Sequence, residues 1–239
     1  MAKSSLLYQK IYEDVRASIE MGTYKPGDKI PSEQELCAEF GASRITVRRA
    51  IEELCNNGFL IKHQGVGTFV SKTRFSRQLR RTGNGLVSFT QLCREQGLEP
   101  GARLVDRQIV PIRGDERRFF GLGAEALLLY VRRVRTADDV PIYEENIFLP
   151  YDEFRGVMSA ALDDVSIFDA IEREGGRRPV ANSHLTLEAV SASQEQASLL
   201  QVPAKAPLLY MNAFFVDKDG RPIAIGRQYY VGSHYAFDV

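Results

Sequence analysis

Residues 31–70, PSEQELCAEFGASRITVRRAIEELCNNGFLIKHQGVGTFV, constrain the fold more than any other stretch of the chain. Ser32 stands three residues before Glu35, the reciprocal spacing of a capping box, and Glu33 adds negative charge at the positive end of the helix so begun. That helix carries Leu36, Cys37 and Phe40 inward and stops at Gly41. Ser43 caps a second helix reaching about Asn57, with Ile45, Val47, Ile51 and Leu54 as core positions and Asn56-Asn57-Gly58 as its stop signal. Two short strands, 59–63 and 68–72, follow, joined through Gln64-Gly65-Val66-Gly67. Glycines at alternate positions suit a tight hairpin whose tip comes close to something else. Helix, tight turn, helix and hairpin in that order can set one helix in a groove of DNA and a loop in the next.

The charges support this reading once they are split by position. The formal net charge is zero, yet residues 1–82 hold 14 Lys and Arg against 9 Asp and Glu, and residues 83–239 carry the matching negative excess. A basic N-terminal part points to a nucleic-acid-facing segment. Within the second helix Arg44, Arg48 and Arg49 recur at helical spacing with Thr46 between them. An arginine fork can bond a guanine edge bidentately, and the first turns of such a helix are the ones that reach base edges. Ser32, Glu33, Ser43 and Thr46 fall at helix starts, where hydroxyls and free amides suit phosphate oxygens. His63, Gln64, Gly65, Gly67 and Thr68 complete the expected contact set at the hairpin. The structural alternative is that the arginines only solvate the helix and pair with Glu52 or Glu53; capping box, turn and glycine hairpin together favour DNA.

A helix over about 5–21 precedes this stretch, with Leu7, Ile11, Val15 and Ile19 at four-residue steps. Residues 72–86 are polar, basic and glycine-containing, which reads as an interdomain linker between a first domain, 1–71, and a second, 87–239. The second part alternates differently. Strands are expected at 103–111, at 180–190, at 208–216 and at 222–231; residues 127–150 form a hairpin turning at 137–139. Short helices are expected at 89–96, 152–160, 166–174 and 194–200. No internal repeat stands out. The fold class is therefore α+β: a helical DNA-binding domain followed by a domain built on a largely antiparallel sheet.

The first domain resembles the winged helix-turn-helix of GntR-family transcriptional regulators. The resemblance is carried by Gly27-Asp28-Lys29-Ile30-Pro31-Ser32-Glu33, by Leu36, by Ser43-Arg44-Ile45-Thr46-Val47-Arg48 and by Gln64-Gly65-Val66-Gly67-Thr68-Phe69-Val70. It implies operator binding in which Arg44, Thr46 and Arg48 face DNA and Gly67 sits at the wing tip. The second domain is similar to the HutC subfamily, whose effector domain (UTRA) has a chorismate-lyase-like fold. Here the matches are Ser88-Phe89-Thr90, Arg133-Val134-Arg135, Pro141-Ile142, Glu145, Leu149-Pro150, Ser166-Ile167-Phe168, Gly220-Arg221-Pro222-Ile223 and Tyr229-Tyr230.

Arg133 and Arg135 lie two apart on a strand and so share a face, which makes an anion clamp of them; the alternative is cross-strand pairing with Glu144, Glu145 or Asp138. Ser88 and Thr90 add hydroxyls at a helix start. The resemblance implies that these positions hold the phosphate or carboxylate of a metabolite, with Phe89, Glu145, Ser166, Phe168 and Tyr230 lining the remainder. Many sugar-phosphate-binding members have an acidic residue where this chain has Ala224 and a tyrosine where it has Phe168, which turns the expectation toward a smaller or less hydroxylated anion. The effector is thus expected to be a phosphorylated sugar or another organic anion, the partner a double-stranded DNA operator, and the assembly a homodimer.

Function classes are excluded on motif grounds. No catalytic elbow, phosphate loop or dinucleotide fingerprint is present, and His63, His184 and His234 form no metal-binding pair. No catalytic residues, metal or cofactor are expected. Cys37, Cys55 and Cys93 are odd in number and lack metal-ligand spacing, consistent with reduced thiols. With no secretory signal core and no membrane-length apolar run, a cytoplasmic repressor without membrane contact is the expected class. Its alternatives are an effector-dependent activator, a lyase-like enzyme fused to a DNA-binding domain, and an architectural DNA protein.

Overall fold

The computed structural model describes residues 2–72, 75–78 and 86–238, and the chain divides into two compact units, Met1–Phe75 and Ser76–Val239.

The first unit consists of α1 (Ala2–Glu20), α2 (Glu33–Phe40), α3 (Arg44–Asn56) and a hairpin of β1 (Leu60–His63) and β2 (Gly67–Val70). Ser32 caps α2 through the full capping box, and Gly41 ends it in the left-handed region at φ 58°. The Ser43 hydroxyl accepts the Thr46 amide at 3.3 Å and so starts α3. β1 and β2 pair antiparallel with Leu60 opposite Val70 and His63 opposite Gly67. Ile11 and Val15 of α1, Leu36 of α2, Val47, Ala50, Ile51 and Leu54 of α3 and Leu60 and Val70 of the hairpin form one buried cluster. One expected core position is corrected: Ile45 is 83 % exposed. Leu54 is fully buried at the centre of the cluster. Leu54→Ala should lower stability by about 2–5 kcal/mol, from lost transfer energy and the residual cavity; chemical denaturation measures it.

The second unit is built on a six-stranded antiparallel sheet. Its main elements in chain order are α4 (Phe89–Glu95), β4 (Pro100–Pro111), α5 (Gly114–Phe120), β5 (Leu127–Ala137), β6 (Val140–Pro150), α6 (Ile167–Gly175), β7 (Ala181–Ser191), α7 (Gln194–Leu200), β8 (Pro207–Val216) and β9 (Pro222–Val231). The strands lie in the order β4-β5-β6-β9-β8-β7. Asp138 and Asp139 turn the β5–β6 hairpin with φ of 46° and 64°, the two positive values a two-residue turn of primed type requires.

Three elements differ from the sequence reading. α5 was not among the expected helices. The helix expected over 152–160 is only a single 3-10 turn, Arg155–Met158. Within the expected linker, β3 (Phe75–Gln78) pairs with β10 (Tyr235–Asp238), while residues 73–74 and 79–85 lie outside the described residues. A repeat is also present that the letters hide. Strand, helix and hairpin recur in the same order as β4-α5-β5-β6 and β7-α7-β8-β9, so the sheet reads alike from either edge. The clearest echo in sequence is Ala126-Leu127-Leu128-Leu129-Tyr130 against Ala206-Pro207-Leu208-Leu209-Tyr210.

Alternation along the strands gives this sheet two distinct faces. Arg133 and Arg135 on β5, Tyr143 and Glu145 on β6 and Gln228 and Tyr230 on β9 come into register on one face. The opposite face carries Arg132, Glu144 and Arg227; there Phe119 and Phe120 of α5 pack with Leu128 and Phe148, and Ala197 and Leu200 of α7 with Val134 and Leu208.

Candidate nucleic-acid interface and effector site

On α3 the buried positions Thr46, Val47, Ala50, Ile51 and Leu54 take one side of the helix. Arg44, Ile45, Arg48, Arg49 and Glu52 take the other and are exposed. Arg44 has no hydrogen-bond or ion-pair partner among the described residues. Arg48 meets Glu52 one turn on at 3.2 Å, with both side chains more than half exposed, a pairing weak enough to give way to a better partner. Arg49 stacks its guanidinium over the Tyr8 ring at 4.3 Å and so joins α3 to α1. Thr46 is 7 % exposed and its hydroxyl lies 2.9 Å from that of Ser43. Of the expected base-contacting side chains, Arg44 and Arg48 are therefore presented outward, whereas Thr46 is turned in.

The other expected DNA contacts occupy helix starts and the wing. Ser32 is engaged with Glu35 in the capping box, which also holds the Glu35 carboxyl below its usual range. Glu33 pairs with Lys62 of β1 at 2.6 Å, tying the start of α2 to the hairpin. Gln64 and Gly65 are exposed in the turn, and Thr68 is half-buried in β2. His63 is exposed with its ring edge-on to Phe69. Gly67 has φ 143°, and a Cβ there would stand 2.5 Å from Lys29 Cε, so a side chain at this position is strained.

In the second unit the structure brings most of the expected effector residues together and shows what each one touches. Arg133 is fully buried. Its Nε reaches Glu145 Oε2 at 2.9 Å, Nη2 reaches the same oxygen, and Nη1 donates to the Leu162 and Val165 carbonyls at 2.9 Å each. The two arginines share a face as expected, but Arg133 takes the cross-strand partner that was the alternative to the clamp. Arg135 is less committed. Its Nε donates to the Gly101 carbonyl at 3.0 Å, Nη2 donates to Thr90 Oγ1 at 3.1 Å, and the group lies over the Phe89 ring. Its Nη1 has no hydrogen-bond partner among the described residues.

Around Arg135, Ser88 caps α4 by accepting the Gln91 amide, and Phe89 stands edge-on to Tyr143. Tyr143 stacks on Tyr230 at 4.6 Å, and burial pushes its phenol well above the ordinary value, keeping it protonated. The Tyr230 hydroxyl donates to Gln228 Oε1 at 2.5 Å. Ser166 caps α6 beside the Val165 carbonyl that Arg133 binds. Phe168 packs edge-on against Phe215, whose cross-strand neighbour is the fully buried Ala224. The two positions where the sequence lacks a polar group are therefore buried in apolar surroundings.

A separate cavity of about 750 Å³ opens on the opposite face, lined by Tyr130, Arg132, Glu144, Asn146 and Arg227 among others and by none of the expected effector residues. Two of its three arginines are ion-paired, Arg132 with Glu144 and Glu195 and Arg227 with Asp115 and Glu116. Burial pushes the Cys93 thiol up to about 12, leaving it protonated and unreactive. No helix among the described residues is long and apolar enough to cross a membrane.

Residues 7–70 match the family model described as bacterial regulatory proteins, gntR family, and residues 95–236 match the UTRA domain. The chain is 32 % identical to the HTH-type transcriptional repressor NagR of Bacillus subtilis over 97 % of its own length and 93 % of the relative's. It is 25 % identical to the mannosyl-D-glycerate transport/metabolism system repressor MngR of Escherichia coli, over 97 % of this chain and 94 % of that one. Among solved structures it is similar to PhnF from Mycobacterium smegmatis, with a TM-score of 0.66 at 25 % identity, covering 95 % of this chain and 97 % of the other.

Proposed function

Because the chain belongs to the GntR family of bacterial regulators and joins its helix-turn-helix to a UTRA effector domain, we propose that it is a homodimeric cytoplasmic repressor released from a near-palindromic operator by a small anionic metabolite. At the coarser level the chain is a ligand-responsive DNA-binding transcriptional repressor and not an enzyme. The observation that carries the finer reading is the pairing of an outward arginine face on α3 with a half-engaged arginine, Arg135, in the effector domain.

On the DNA side, Arg44 and Arg48 are assigned to base edges. The amides and hydroxyls at Ser32 and Ser43 and the wing residues His63, Gln64, Gly65 and Thr68 are assigned to the backbone, with Gly67 permitting close approach of the tip. Two such units on a twofold axis would meet two half-sites of one operator. On the effector side, Arg135 Nη1 and the Ser88 and Thr90 hydroxyls are assigned to the anionic group. Arg133 and Glu145 are assigned to bracing the site, and Tyr230 and Phe168 to its walls. The apolar surface of Phe168, Phe215 and Ala224 favours an anion with few hydroxyls at that end. Relatives include a probable fructoselysine utilization operon transcriptional repressor and the mannosyl-D-glycerate transport/metabolism system repressor MngR, which supports a metabolite signal without fixing this one.

Linkage requires that a ligand weakening DNA binding be weakened equally by DNA. The test is a thermal-shift screen of phosphorylated sugars, phosphonates, carboxylates and amino acids, since a bound effector raises the melting temperature by mass action. The hit is then added to the operator complex. Arg135→Ala is expected to bind operator as the unsubstituted chain does and to lose release by the hit by a factor of ten or more, on the order of one charge-assisted hydrogen bond. Release unchanged in Arg135→Ala overturns the anion assignment.

A further inference from the structure

Ile45 is the residue on α3 that the helix itself does not explain. At about 100° per residue, the buried positions Thr46, Val47, Ala50, Ile51 and Leu54 fill one arc of the helix, and Ile45 falls near the middle of the opposite arc. It is 83 % exposed, among the most exposed large apolar side chains in the protein. Its neighbours on that arc are charged: Arg48 and Glu52, paired at 3.2 Å, and Arg49, drawn toward Tyr8. Nothing local favours an isoleucine there. A β-branched residue lowers helix propensity, exposure gives it no burial, and it caps nothing.

Its surroundings say what would cover it. The arc begins with Arg44 and continues with Arg48, both exposed, so a partner meeting Ile45 meets two guanidiniums at once. A polyanion with an apolar group within one base step of hydrogen-bond acceptors satisfies all three. In the major groove that apolar group is the C5 methyl of thymine, beside the N7 and O6 acceptors of guanine.

We propose that Ile45 is a specificity-determining residue that packs on a thymine methyl in each operator half-site, next to the base pairs read by Arg44 and Arg48. This rests on α3 being the recognition helix, as assigned above. It adds to that assignment a group the arginines cannot recognise, because they offer donors only and the methyl offers no acceptor. The assignment also accounts for the exposure of Ile45 in the free chain, since its cover is the operator.

The test uses the full chain and duplexes selected by it from random DNA. Each thymine of the selected site is replaced in turn by deoxyuridine, which keeps the base pair and removes only the methyl. For the unsubstituted chain, one or two positions per half-site should lose about fourfold in affinity, the ratio that corresponds to ~0.8 kcal/mol for one buried methyl. Ile45→Ala should bind the thymine duplex about tenfold more weakly. At those same positions it should show no further loss with deoxyuridine, because the two changes remove one contact. Circular dichroism should show an unchanged fold, as expected for an exposed side chain.

A flat deoxyuridine scan, or a cost that persists undiminished in Ile45→Ala, overturns the proposal. Arg44→Ala measured in parallel separates the two levels. If Arg44→Ala discriminates poorly while the deoxyuridine scan is flat, Ile45 alone is misassigned; if Arg44→Ala and Arg48→Ala both keep full preference and the scan is flat, α3 is not the reading helix.

Discussion

Arg44→Ala is expected to erase the preference for operator over random DNA and to leave the fold and most non-specific binding in place. Arg44 is exposed at the first position of α3, and its guanidinium has no partner among the described residues, so its removal exposes no cavity and strands no charge. A bidentate arginine–guanine contact contributes about 1–3 kcal/mol of discrimination. In a dimer the loss occurs twice, about 2–6 kcal/mol, against the roughly thousandfold preference, near 4 kcal/mol, at the lower end for specific regulators. A phosphate contact predicts a different outcome: affinity would fall on all sequences alike, and the salt dependence would become shallower by about one ion per arginine lost. Competition binding against random DNA at two salt concentrations separates these. Undiminished preference with a shallower salt slope moves Arg44 from the bases to the backbone.

The first domain was legible because its signals are local. A capping box, a second serine cap and glycines at helix ends act over three or four residues, and each acts in the structure as the spacing requires. The misreading inside α3 has an equally local cause. Ile45 reads as core from its apolar character alone, although its angular position sets it opposite Val47 and Leu54. What the second domain leaves illegible in sequence is non-local. Whether Arg133 holds a ligand or Glu145 depends on strand register, which pairs those two residues across β5 and β6. α5 is not legible because its short run, with five charged or glycine positions before Phe119-Phe120, shows little amphipathic period until β9 places Arg227 against Asp115 and Glu116. The repeat was hidden because its halves keep topology and a short Leu-Leu-Tyr echo but few other identities.

Register also changes which arginine substitution does the greater structural damage. Arg133→Ala is expected to destabilise the effector unit by about 3–5 kcal/mol, the usual cost of removing one partner from a buried ion pair. Arg133 is fully buried and Glu145 is 2 % exposed, so water cannot replace the guanidinium without entering the core. The Leu162 and Val165 carbonyls lose their donor in the same step, and each buried acceptor left unmade adds to the cost. For a unit of this size that corresponds to a fall in melting temperature of about 6–20 °C. Arg135→Ala should cost much less, because Arg135 makes only two neutral hydrogen bonds and keeps one nitrogen unengaged. The comparison that isolates the pair is Arg133→Met combined with Glu145→Leu, which removes both charges while keeping apolar volume. Stability should recover by most of the single-variant loss, since the desolvation of the pair is relieved along with its attraction. Thermal unfolding of the three variants, followed in full-length protein, gives the ranking directly. If Arg133→Ala melts within about 2 °C of the unsubstituted chain, at most about 1 kcal/mol for a unit of this size, and loses only its response to effector, then Arg133 belongs to the ligand and Glu145 must be its counter-ion in the empty site.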